Sequence, residues 1–218
     1  MRRELRSSNR RPRFIELTAA ACIALFASVA SGLPGGIVGY SGADGTDCSV
    51  CHSGASGAAV EIIDGATGLS DRSTVTVGST RSFMIRISGG PAVVCGFDAS
   101  AKGIGQLMPS PSDSGVRAEQ GELTHTAPRS FGQDGTCEFD FEWQAPMSPS
   151  MPQDPVILYA AGNSANGDGT KLGDSIATTT HAIDVVPEPS SQHLGFAGLL
   201  ALGAARWRLG RRRSPRSS

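Results

Sequence analysis

The chain has 218 residues, of which 28 are glycine and 13 proline, with 39% hydrophobic and 18% charged residues. Its formal net charge of −1 conceals a partition: twelve of the nineteen basic residues lie in the two terminal segments, and between residues 31 and 189 seven basic residues stand against eighteen acids, a net of −11. So acidic a centre disfavours nucleic acid and anionic membrane surfaces as partners, and favours cations and solubility.

Residues 1–30 have the three parts of a secretory signal peptide. Arg2, Arg3, Arg6, Arg10, Arg11 and Arg13 form a basic start, an apolar run follows from Leu17 to Ala30, and Ser28 and Ala30 supply small residues before a cut at Ser31. The run is shorter than the roughly 20 residues a spanning helix needs, so a removable helical signal is favoured over an anchor. Residues 31–57 read as a glycine-rich arm. Within it lies Cys48-Ser49-Val50-Cys51-His52, a spacing that attaches haem c: two thiols add to the two vinyl groups, and the adjacent imidazole takes the iron. On this reading Cys48, Cys51 and His52 bind the cofactor, and His52 is the proximal ligand. A Cys48–Cys51 disulfide, a zinc site and a thioredoxin-like redox pair are the competing readings of the same residues.

Short strand-like runs then alternate with Gly, Pro, Asn and Asp. Ala58 to Ile63, Ser73 to Val77, Arg81 to Ile87, Ala92 to Ala99, Cys137 to Trp143, Pro155 to Ala161 and Ser175 to Val185 are the candidates. The cleanest is Cys137 to Trp143, where Cys137, Phe139, Phe141 and Trp143 face one way and Glu138, Asp140 and Glu142 the other. About seven such runs predict an all-β domain over residues 58–186, an antiparallel sandwich of the immunoglobulin type. Cys22 leaves with the signal, so four cysteines remain, and a disulfide between Cys95 and Cys137, on two of the better strands, is expected, with free buried thiols as the alternative. For haem iron a sixth ligand is sought first in His125 and then in His181. Asn163, Asn166, Asp168 and Asp174 form an oxygen-rich loop that suggests Ca²⁺, although it lacks the EF-hand spacing and reads better as a turn network. No phosphate-cradling loop, nucleophile elbow or His-Glu-x-x-His is present, so no enzyme is predicted.

Residues 187–218 complete the organisation. Val186-Pro187-Glu188-Pro189 precedes an apolar stretch, Leu194 to Ala205, and six arginines between Arg206 and Arg216. This helical tail resembles the PEP-CTERM sorting signal, which implies processing by an exosortase after signal peptidase has acted. It also implies a protein exported to the periplasm, outer envelope or extracellular matrix and held by its tail in the inner membrane, transiently or permanently. In the centre, Gly96-Phe97-Asp98, Leu123-Thr124-His125-Thr126-Ala127-Pro128, Phe141-Glu142-Trp143-Gln144-Ala145-Pro146 and the block from Tyr159 to Gly169 occur in that order. Together they resemble the choice-of-anchor V domain, related to the Reeler β-sandwich. The resemblance implies a sandwich from Asp47 to Asp184 and brings His125 forward as the distal ligand.

Two functions follow as expectations. One is a monohaem electron-transfer module with a redox partner. The other is a noncatalytic, disulfide-stabilised surface or matrix protein that binds a partner such as an exopolysaccharide.

Overall fold

Alternation of apolar and polar residues builds the strand at the centre of the smaller sheet. In the computed structural model, which describes residues 33–147 and 154–188, Cys137, Phe139, Phe141 and Trp143 are all buried while Asp140 between them is exposed. That strand, β10 (Thr136–Gln144), is the last of ten in the described residues 33–147. Before it come β1 (Ser53–Gly54), β2 (Ala58–Asp64), β3 (Arg72–Thr76), β4 (Thr80–Gly89), β5 (Val94–Ser100), β6 (Gln106–Pro109), β7 (Val116–Glu119), β8 (Glu122–His125) and β9 (Arg129–Ser130). After it come β11 (Val156–Ala165) and β12 (Leu172–Val186).

The strands form two sheets. A four-stranded sheet runs β2-β4-β10-β6, and an eight-stranded sheet runs β1-β12-β11-β5-β8-β7, with β3 paired to β12 and β9 to β5. Phe83, Ile85 and Ile87 of β4 lie opposite Phe141, Phe139 and Cys137 of β10, and this face packs against Phe97, Ala99, Leu158, Ala160 and Ile183 of the larger sheet. The sheets approach so closely at Gly162 that an added Cβ would collide with Val60 and Ile87. Cys95 of β5 and Cys137 of β10 form a disulfide that ties the two sheets together.

The sandwich is mixed rather than antiparallel. β12 pairs antiparallel with β11 but parallel with β3, through Ala182 opposite Arg72, and parallel with β1, through Ser53 opposite Leu172. Parallel neighbours need a long crossover, and here nearly the whole domain lies between each short strand and β12. Where β3 meets β12 and β2, three polar residues are buried together. Ser73 Oγ lies 2.6 Å from Asp64 Oδ2 and 2.7 Å from His181 Nε2, and His181 Nδ1 lies 3.1 Å from the Ile62 carbonyl. His181, the second candidate for an iron ligand, is therefore a core histidine packed edge-on to Phe83.

The predicted signal peptide and all of the sorting tail beyond Glu188 lie outside the described residues. Among the described residues no helix is long and apolar enough to cross a membrane.

Candidate ligand cavity

The glycine-rich arm does not hang free; it closes a cavity against the larger sheet. Backbone N–H groups of the arm donate to acidic side chains of that sheet, Gly39 to Glu122 at 2.5 Å and Tyr40 to Asp98 Oδ2 at 2.6 Å. Arg117 of β7 donates to the Gly35 carbonyl at 3.1–3.2 Å. These bonds hold Leu33, Pro34 and Ile37 over β5. The enclosed space is about 480 Å³ and mostly apolar, with Val94, Phe97 and Pro128 on the sheet side. That volume suits a small molecule.

The Cys48–His52 segment forms the third wall. A 3-10 helix covers Cys48–Val50, started by Asp47, whose carboxylate accepts the Ser49 N–H at 2.7 Å. The turn ends as the Cys51 and His52 N–H groups donate to the Cys48 carbonyl at 3.2 and 3.0 Å. His52 is then tied to β12, its Nδ1 2.6 Å from Asp174 Oδ2, while Asp174 Oδ1 accepts the Asn166 N–H at 3.0 Å. Cys48 and Cys51 are unpaired thiols. Burial, reinforced by the charges of Asp98 and Asp47, pushes the Cys48 thiol up to about 12, so at neutral pH it is protonated and a poor nucleophile.

His125 reaches the same cavity from β8 but is committed to the sheet. Its ring packs directly on Gly96, where any Cβ would fall inside it. Its Nδ1 lies 3.1 Å from the Phe97 nitrogen and 3.2 Å from the Phe97 oxygen. Burial lowers its pKa, so the ring is neutral at pH 7.

The monohaem electron-transfer reading, with His52 as proximal and His125 as distal iron ligand, is corrected on this geometry. Among the described residues no group of three or more His, Cys, Asp or Glu side chains converges as a metal site. His52 serves to pin the arm to Asp174, and His125 serves as packing for Gly96. The oxygen-rich loop is occupied with itself: Asn166 Nδ2 donates to Asp168 Oδ2 at 3.1 Å and Asp168 N–H to Asn166 Oδ1 at 3.1 Å.

Residues outside the sequence motif complete the cavity. Asp98 is buried, and its Oδ1 has no hydrogen-bond partner among the described residues; the same holds for Asn163 Oδ1. Burial pushes the Asp98 carboxyl up to about 7, against the hydrogen bond from Tyr40 and aided by the charge of Glu122. The unfolded value is about 3.9, so the folded state binds the extra proton between these limits. Asp98 therefore contributes stability that is full below pH 4 and lost as pH rises through 7. Asp98→Asn keeps the acceptor for Tyr40. It is expected to melt at the same temperature as the parent near pH 4 and above it at pH 8, by calorimetry at both values; a pH-independent difference would contradict this.

A mixed two-sheet β-sandwich with a lateral, arm-covered cavity is the class of structure defined here. No family model matches the chain, and no curated protein matches it either. Among solved structures it is similar to the major subunit of type I aggregative adherence fimbriae of Escherichia coli. That match has 12% identity and a TM-score of 0.35, covering 62% of this chain and 99% of the fimbrial chain. It is also similar to the sporulation control protein of Bacillus subtilis, at 12% identity and a TM-score of 0.28, covering 59% of this chain and 49% of that one. Likenesses this distant carry no functional argument.

Proposed function

We propose that this chain is an exported, noncatalytic, disulfide-stabilised binding protein of the cell envelope, which takes a small ligand in the cavity beneath its arm. The observation that carries the reading is the cavity: about 480 Å³, mostly apolar, and walled by an arm that is fixed to the sheet. Largely preformed, mostly apolar pockets with a few polar groups are the usual form of a small-molecule site. The disulfide supports an oxidising compartment, where such bonds persist. The arginine-rich ends support removal of residues 1–30 by signal peptidase and handling of residues 187–218 by an exosortase-type enzyme, as the PEP-CTERM and choice-of-anchor V resemblances imply. An extended polysaccharide fits this site less well, since it would need an open polar groove.

The neutral dye Nile red tests the reading. Its fluorescence is expected to rise and shift to the blue with the parent protein, and to lose most of that gain with Val94→Trp, which fills the cavity from β5. Equal fluorescence from the two proteins would refute binding at this place.

A further inference from the structure

The two unpartnered polar groups sit on one face of one sheet. Asn163 of β11 lies opposite Gly96 of β5, and Asp98 is two residues along β5 from Gly96. Side chains two residues apart on a strand share a face, so Asp98 and Asn163 are diagonal neighbours, roughly 7–8 Å apart at the backbone. Between them lies only Gly96, covered by the His125 ring. Both residues line the cavity.

Their polar needs are specific. Asp98 Oδ2 is used by the Tyr40 N–H, and Oδ1 is left over. The Asn163 carboxamide has one end 3.1 Å from His52 Nδ1 and its other end without a partner. Whichever way the amide is turned, one of its polar atoms remains unused. A buried polar group left unpaired costs about 1–3 kcal/mol, and the surrounding apolar lining supplies no partner. A hydroxyl is the group that meets both needs, because it donates to Asp98 and either donates to or accepts from Asn163.

We infer that the cavity is built for an apolar-bodied molecule bearing hydroxyl groups, a phenol or an alcohol, bound with its hydroxyls between Asp98 and Asn163. This rests on the cavity being a ligand site, and it adds the ligand's chemistry. The apolar body lies against Leu33, Ile37 and Val94, and the hydroxyl end lies at the His125 floor. Selectivity comes from the penalty a hydrocarbon suffers by leaving both polar groups unpaired, and an ether by leaving the Asp98 carboxylate without a donor, which is a larger effect than the loss of one more apolar contact.

A matched pair of probes separates the two claims. 4-Hexylresorcinol carries two hydroxyls, and 1-hexyl-2,4-dimethoxybenzene has the same body with no donor. By titration calorimetry on the full chain at pH 8, where Asp98 is ionised and only accepts, the resorcinol is expected to bind at least tenfold more tightly than its ether. Asp98→Ala and Asn163→Leu are each expected to shrink that ratio to under threefold. If either variant fails to fold, the parent ratio and the other variant decide. Equal affinity for both probes would overturn the hydroxyl inference and leave the cavity reading standing. Binding of neither, together with no response to Nile red, would overturn both.

Discussion

Replacing Cys95 and Cys137 together by alanine is expected to lower the unfolding free energy by about 4 kcal/mol, measured by urea denaturation against the parent. The bridge spans a sequence separation of 42 residues, and loop-closure entropy of that length in the unfolded chain accounts for the figure. Both sulfurs are buried and belong to opposite sheets, β5 and β10. Cys95 also lines the cavity. Loss of the bridge is therefore expected to weaken dye binding as well as stability, whereas a bond that only restrained the unfolded chain would leave binding intact. A loss of stability below about 1 kcal/mol would place the joining of the sheets in side-chain packing alone.

The second large effect is expected at Phe139. Its ring is fully buried, 4.6 Å from the Phe97 ring, with the Arg129 guanidinium 4.2 Å over its face. Arg129 in turn is paired with Asp113 and donates to the Glu138 carbonyl. Phe139→Ala removes the partner of both neighbours and opens a void between the sheets, a loss of about 3–5 kcal/mol. Phe139→Leu should cost much less, about 1.5 kcal/mol or below. The effect should also reach the cavity, because Phe97 carries the backbone contact of His125. The His125 ring resonances are expected to move in Phe139→Ala, as read by NMR. A melting loss with those resonances unchanged would show the core and the cavity to be independent.

The strands that could be read from sequence were those long enough to repeat a pattern. β10 displays four apolar residues in strict alternation, and β4 displays Phe83, Ile85 and Ile87, so burial on one face follows from the order of residues alone. β1, β6, β7, β8 and β9 have two to four residues each, too few for any period, and they form because a neighbouring strand offers them a ladder. The parallel pairing of β12 was hidden for a related reason: a strand's direction relative to its partner is set by the connection, not by its own residues. Cys48, Cys51, His52 and His125 were picked from spacing and resemblance, and they do meet around one space. Spacing is silent about Asp174 and Gly96, the residues against which the two imidazoles are set. Asp98 and Asn163 lie in segments the sequence does mark, but nothing there pairs them, since lacking a partner is a property only of the folded chain. The arm looked empty because Leu33 and Ile37 are too sparse to form a periodic face.

The parallel contacts of β12 bear on when the domain can fold. Ser53 and Arg72 near the start find their partners at Leu172 and Ala182 near the end, so the larger sheet cannot be completed until almost the whole chain is available. Topologies dominated by such distant contacts fold slowly. A nascent chain emerging amino-terminus first has β1 and β3 waiting without a ladder and the arm without a lid position to settle on. For the exported protein proposed above this delay is an asset, because a chain that cannot close its larger sheet early stays threadable through a translocation channel.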